Sequence, residues 1–448
     1  MSPTFGLGRG RLGSMPLGGY ESLDAAIDSP ISSVFRRVQI KRRQKSDGKY
    51  EPNWQDITTF VKKFGVLESA IDDIELNKFT HNGLTLVVDN DTGEFNRENN
   101  LNSLWMGYLT RYRTLVRVQA GYLTAAGAEL PPTDTTLGIY ILDKEISIKS
   151  NSNDVSLRCA SLRSIFDEVK ASSLPGLGAT FTASDIIARI RDHTDGSANF
   201  VFREFITSTS WSIETTTVNY LLNTDTTLDG ITVWELMEKL AVSELKVLLI
   251  TKSGGIDFRS RNPRQSTSQY TFTGQDFPRP SIIAITDYKE ATDKYFNRFR
   301  LKFGELETST SYIETGTTLV VNDTNTAWVY GDRQYEFENE LIQNTTTAQT
   351  VINAVHAEFS TMPVEAVIKT TFVPHLELLD RVQASFHSYD LAGSTRWDVF
   401  DWAPDTGDTG AAWSAEGENF DWNNRPFKIL SRKLDLDNFS MEFNLREI

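Results

Sequence analysis

Two periods run through the apolar positions of this chain. Ala348, Val351, Ile352, Val355 and Phe359 recur three and four residues apart, which lays one apolar stripe along about three turns of helix. Pro363 follows soon after and cannot continue a helix. The period then drops to two. Val364, Ala366, Ile368, Thr370 and Phe372 alternate with Glu365, Val367, Lys369 and Thr371, and Val382, Ala384 and Phe386 alternate with Gln383 and Ser385, as half-buried strands require. Residues 374–380 make a wide turn between them, so 330–386 reads strand, helix, strand, turn, strand.

Upstream, the runs 35–40, 54–61, 70–76, 83–89, 113–122 and 137–143, with Ile146 and Ile148, are all strand-like. Many short strands separated by turn signals predict a barrel or sandwich over 33–150. A second organisation begins at Asp154. Residues 155–159 read as a strand, 161–169 as a helix opened by a Ser161 N-cap, and 182–190 as another helix. A third helix spans 232–241, with Thr232 three residues before Glu235 in the spacing of a capping box. Residues 246–251, the turn Lys252-Ser253-Gly254-Gly255 and 256–261 then read as strand, Gly-containing turn, strand, with Gly254-Gly255 itself a good hairpin pair. Segment 265–330 is polar and strand-rich, with Thr and Ser crowding 307–326 as a loop or exposed hairpin, and 427–448 closes the chain as a hairpin about 435–438. The fold class is mainly β with an α+β insert. Its divisions are a Gly-rich arm at 1–32, a β region at 33–150, an α+β domain at 151–285, a second β region with one helix at 286–395, and a loop plus closing hairpin at 396–448. At roughly 100–200 residues per domain, 448 residues suit about three or four domains.

This order of elements resembles a known family. Tyr330-Gly331, a helix, a small-residue break, a strand, Pro374, then Leu376, Leu378-Leu379-Asp380-Arg381-Val382 is similar to the tail-hub or baseplate-hub (tail tip) proteins of long-tailed bacteriophages. The strand ending in Asp89-Asn90-Asp91-Thr92-Gly93 before Phe95, and the strand ending Phe258-Arg259-Ser260-Arg261, repeat the same pattern. The resemblance implies tail-tube-like β-barrels at 33–150 and 286–395 and a homotrimer. Two barrels per chain would make a pseudo-sixfold collar from three chains. It further implies contacts with a distal tail, adapter or tail-tube protein above and a central spike or fibre below, with the tape measure protein and DNA passing through the lumen. The place implied is the virion tail tip, assembled in the host cytoplasm, with a part in DNA ejection.

Charge changes that picture in one respect. The net charge of −15 opposes general nucleic-acid binding. In a trimer three such chains would carry three times −15, a field that lets DNA slide without sticking. The basic run 41–45 precedes the turn signal Ser46-Asp47-Gly48 and has no interleaved aromatic, so it reads as a solvated hairpin tip. Gly6, Gly8, Gly10, Gly13, Gly18 and Gly19 mark the arm, which either stays a mobile tail or orders on a neighbouring subunit. Its glycine run has neither the strand nor the helix of a phosphate loop. No run of 18 apolar residues suggests a membrane span, and no apolar core suggests a secretory leader. Cys159, the single cysteine, reads as a small buried apolar residue compatible with a reducing cytosol.

The candidate site is the stretch 397–424. It holds Trp397, Trp402, Trp413 and Trp422, seven acids and neither Lys nor Arg, and Phe400-Asp401-Trp402 recurs as Phe420-Asp421-Trp422. Flat indoles and carboxylates suit a carbohydrate face on a receptor-binding tail protein, and Asp405 with Asp408 could hold calcium. An aromatic-anchored loop that packs on a neighbouring subunit is the preferred reading. Asp89, Asp91 and Glu94 read as turn residues rather than a calcium loop, because position 94 is not Gly and 93 is neither acid nor amide. His81, His193, His356, His375 and His387 lack metal-ligand spacing, and no nucleophile-elbow or phosphate-loop motif occurs. No cofactor, metal or catalysis is expected. A cell-wall hydrolase, with two facing carboxylates, is the third-ranked reading.

Overall fold

A computed structural model describes residues 26–27, 33–43, 49–72, 78–95, 109, 114–124, 126–131, 135–143, 147–148, 153–174, 180–194, 202, 205–206, 210–222, 228–274, 281–303, 311–316, 320–321, 324–325, 333–339, 341–342, 345–359, 364–387 and 421–448. The protein is mainly β, with a few helices. The first large sheet runs Gln55–Asp56, Val34–Arg42, Thr114–Leu123, Thr136–Leu142, Asp154–Ser161, Leu84–Asp89, Val61–Lys63, all antiparallel. Val38 lies opposite Val118 and Ile40 opposite Val116, so their buried side chains share one face. Arg37, Gln39 and Lys41, one residue out of phase, take the other face with Arg117 and Gln119.

The second large sheet runs Tyr270–Thr273, Arg381–His387, Asp421–Asp435, Ser440–Glu447, Val364–Thr371, Ile282–Glu290. Asp421–Asp435 is 15 residues long and outlasts its neighbour Arg381–His387, whose pairing stops at Lys428. From Ser431 onward the vacated side pairs with Val66–Asp72, which in turn pairs with Lys78–His81. A hairpin from the first part of the chain therefore completes a sheet otherwise built from residues beyond 269. One continuous apolar cluster, from Ala26 to Leu445, fills the space that the two sheets share.

The helices follow their caps. Thr182 accepts from Asp185 N and opens the helix Ala183–Arg191. Thr232 and Glu235 exchange both bonds of a capping box, 3.2 Å and 2.6 Å, at the head of Val233–Ser243. The expected Ser161 cap does not form. The helix there is only Arg163–Asp167 and its N-cap is Leu162 without a side-chain bond, while the Ser161 hydroxyl one residue earlier accepts from Arg163 N at 3.3 Å and also meets His81. The Gly-containing turn at 252–255 joins Lys246–Ile250 to Ile256–Ser260, where the sequence places it. Thr251 N donates to Gly255 O and Gly254, at φ +79°, accommodates the left-handed step. A Cβ on Gly255 would lie 2.3 Å from Ser210 O. At the closing hairpin Asp435 Oδ1 accepts from both Asp437 N and Asn438 N, which bends the chain where the turn residues predict.

The apolar stripe of Thr345–Phe359 builds a separate small core. Ala348, Val351, Ile352, Val355 and Phe359 are all buried against Phe299, Leu301 and Phe303 of Arg298–Phe303 and Tyr335 of Gln334–Asn339. This unit leans on Val242 and Leu245 at the end of the capping-box helix, and Asn339 Nδ2 donates to Ser243 Oγ at 2.7 Å. Ser311–Gly316 pairs with the other side of Arg298–Phe303. Pro363, Tyr330 and Gly331 lie outside the described residues, as does the arm apart from the buried Ala26 and Ile27.

Ile352→Ala is expected to lower the unfolding free energy by about 2–5 kcal/mol, because it opens a cavity in a small core. Thr346→Ala, on the exposed side of the same helix, should change it by less than about 0.5 kcal/mol. Urea unfolding followed by circular dichroism measures both.

Candidate functional site

Trp397, Trp402 and Trp413 lie outside the described residues, together with Asp405 and Asp408. Trp422 is in the strand Asp421–Asp435, where its backbone registers with Phe386. The polar chemistry that the structure does assemble lies in the seam between the two large sheets.

Arg432, on the second sheet, is buried among apolar side chains and spreads its guanidinium over three acceptors. Nη1 donates to Leu376 O at 3.0 Å, Nη2 to Leu137 O at 2.9 Å, and Nε to Ser69 Oγ at 3.3 Å. Leu137 belongs to the first sheet, so one side chain ties both sheets and the 374–380 turn. Beside it, His81 Nδ1 meets Ser161 Oγ at 2.8 Å and Nε2 meets the Tyr140 hydroxyl at 3.2 Å. Burial and then the charge of Arg432 drive the His81 pKa down to about 3. Burial likewise raises Tyr140, so both rings are neutral. Tyr122 makes a second tie across the seam, its hydroxyl donating to Phe372 O at 2.6 Å.

A Ser–His contact invites comparison with a nucleophile and its base. General-base catalysis would have to generate an imidazolium, and a carboxylate on the second ring nitrogen would stabilise it. Here that nitrogen faces a phenol and the nearest full charge is the positive Arg432, so the environment opposes the charge that the step would create. The arrangement acts as a set of neutral hydrogen-bonded pins.

A second polar cluster fastens the α+β insert to the same turn. Arg264 Nη1 lies 2.9 Å from Glu377 Oε2 and its Nη2 3.4 Å from Asp257 Oδ2, while Lys252 Nζ is 3.8 Å from Glu377 and Arg259 Nη1 3.8 Å from Asp257. Asp380 accepts from Glu377 N at 2.7 Å, and burial raises its pKa to about 6. Lys252, Arg259 and Arg264 thus face Asp257, Glu377 and Asp380. No sequence signal announces either cluster, because their members come from strands and turns far apart in the chain.

The remaining candidates have structural partners. Asp89 Oδ1 accepts from Asp91 N, Asn90 Oδ1 from Phe95 N, and Asp91 Oδ1 from Asn153 Nδ2, so the 89–95 oxygens shape a turn. Lys62 also pairs with Asp89. His356 stands edge-on to Phe299 at 5.2 Å, and His375 to Tyr270 at 5.8 Å. Cys159 is buried, which pushes its thiol up to about 12 and away from reactivity. Among the described residues no helix is long and apolar enough to cross a membrane.

No family model matches the chain, and no curated protein matches it by sequence. Solved structures do. One of them, a tail protein, shares this fold along almost its whole length, which bears out at the level of fold the resemblance read in the sequence. The tail protein from Neisseria meningitidis superposes with a TM-score of 0.51 at 12% identity, over 93% of this chain and 96% of that one. The prophage tail protein gp18 from Listeria monocytogenes gives 0.48 at 10% identity, over 92% and 94%. The prophage MuSo2 43 kDa tail protein from Shewanella oneidensis gives 0.47 at 10%, over 92% and 98%. At 12% identity the first of these likenesses establishes the fold and nothing beyond it.

Arg432→Met should cost on the order of 3 kcal/mol in urea unfolding, since it strands two buried carbonyls. The pH dependence has two opposing parts. His81, with its folded pKa depressed to about 3, contributes stability present above about 6.5 that is lost as pH falls toward 3. Asp380, with its folded pKa raised to about 6, contributes stability that is present below about 3.9 and lost as pH rises through 6. Asp380→Asn should therefore steepen the loss of stability on acidification between about pH 6 and pH 4, and His81→Gln should flatten it. Denaturant midpoints across that range measure both slopes.

Proposed function

We propose that this chain is a structural virion protein, the tail-tip or baseplate hub of a long-tailed phage. Three copies form a ring that joins the tail tube or its adapter to a central spike or fibre. The observation that carries the reading is the match of the whole two-sheet architecture, over 93% of this chain and 96% of the other, to a protein described as a tail protein. The seam supports it chemically. Its buried polar groups hold the sheets together, and the Ser161–His81 contact is electrostatically unsuited to catalysis.

The ring encloses a channel through which the tape measure protein and DNA pass without specific binding, and the net charge of −15 per chain suits such a lumen. The ring's place is the tail tip of the virion, reached by assembly in the host cytoplasm. No cofactor or bond-making step enters this function.

Sedimentation equilibrium of the purified chain is expected to give three times 50.5 kDa, and mixing with tail-tube or adapter rings should yield capped tubes in electron micrographs. A protein that stays at 50.5 kDa at every concentration and caps no tube overturns the reading.

A further inference from the structure

The outward face of the first sheet carries a cationic stripe built over an indole. Gln39 and Lys41 project from Val34–Arg42 on the face opposite Val38 and Ile40, and Arg117 registers directly across from Gln39. The Arg117 guanidinium lies 4.5 Å from the centre of the Trp54 ring and the Lys41 ammonium 5.5 Å from it. Arg117 Nε donates to Gln39 Oε1 at 3.0 Å, which fixes the guanidinium over the ring. One step further, Arg43 stands 5.7 Å from the Phe205 ring, which meets Tyr50 edge-on at 5.8 Å. Gln39, Lys41, Trp54 and Arg117 are all half-exposed.

The charges along this face are unequally matched. Arg37 pairs with Glu129 at 2.5 Å and Asp56 at 3.5 Å, and Arg42, on the opposite face, with Glu51 at 2.6 Å. Lys41 pairs with no carboxylate among the described residues, and the neighbouring charge acting on it is the like charge of Arg117. The Lys41 ammonium, held against the Trp54 indole beside the like charge of Arg117, gains free energy when carboxylates and a second aromatic ring arrive. The surface therefore fits an acidic, aromatic polypeptide. Nucleic acid fits less well, because the rest of the chain, at −15 overall, repels it.

The chain itself contains a stretch of that chemistry: 397–424, with four tryptophans, seven acids and no Lys or Arg. The stretch runs into Asp421–Asp435 of the second sheet. The stripe lies on the first sheet's face turned away from the second sheet, because Val116, Tyr140 and Ile40 occupy the face that meets it. Reaching the stripe within one copy would mean passing around the sheet, whereas a neighbour meets it directly. We propose that Lys41, Trp54 and Arg117 form the receiving surface for the acidic, tryptophan-bearing stretch 397–424 of a second copy of this chain. This rests on the ring reading and names one of its subunit contacts.

The test uses the full chain with Trp54→p-benzoylphenylalanine, mixed equally with isotope-labelled chain, irradiated and digested for mass spectrometry. Cross-links are expected between position 54 and 397–424, with mixed isotopes showing that two copies are joined. In the second experiment, Lys41→Glu with Arg117→Glu should weaken self-association by about tenfold or more in sedimentation. Asp398→Lys with Asp401→Lys on the partner copy should restore much of it. Cross-links within one copy, to another part of the chain, or to added duplex DNA overturn the proposal. If the mass is still trimeric when that happens, the ring reading stands and this contact alone falls. A monomer at all concentrations ends both.

Discussion

Arg432 is the constraint around which the two sheets are arranged. A guanidinium cannot be deprotonated at any relevant pH, so burying it requires acceptors at fixed positions, and here these are two backbone carbonyls and a serine hydroxyl. Leu137 O comes from one sheet and Leu376 O from a turn of the other, so satisfying Arg432 sets their separation and angle. Burial, and after it the same positive charge, keeps His81 neutral, which lets its ring accept or donate hydrogen bonds to Ser161 and Tyr140 without carrying a second charge into the seam. Apolar burial supplies the driving force along the Ala26–Leu445 cluster, and the polar pins select one docking among the many that an apolar surface would tolerate.

The hairpin Val66–Asp72 with Lys78–His81 extends that logic to connectivity. It leaves the first sheet, pairs along Asp421–Asp435, and carries His81 into the seam. The insert is held to the same place by the Lys252, Arg264, Glu377 and Asp380 cluster, which grips the turn whose Leu376 carbonyl accepts from Arg432. The insert, the turn and both sheets are therefore joined through one connected set of polar contacts.

The outward stripe obeys a different economy. Arg37 and Arg42 are matched by carboxylates of their own chain, whereas Lys41 stands beside Arg117 over Trp54. The sequence reading of 41–45 as a solvated tip without an aromatic platform needs correction at its start. Trp54 is absent from that run but is brought beside it when Gln55–Asp56 pairs with Val34–Arg42. Pairing between strands, rather than adjacency along the chain, creates the platform.

What the sequence determined by itself is local. The buried stripe of Thr345–Phe359, the capping box at Thr232 and Glu235 and the Asp435 turn were all legible, because each depends on residues within one or two turns of the chain, whereas the alternation of Val364–Thr371 was legible only in part, since Glu365 and Thr371 are buried as well. Ser161 was read only in part: its hydroxyl does accept from the nearby Arg163 N, but the helix starts one residue later than its capping position requires, and its second partner, the distant His81, left no local signal. Only the tertiary structure decided that 66–81 belongs with the last strands, that Arg432 pins both sheets, and that Lys41 and Arg117 share an indole. These are contacts between residues far apart in the chain, and their free energy appears only after the sheets have folded and met. Periodicity, which reports what one element buries, carries no record of what it is buried against.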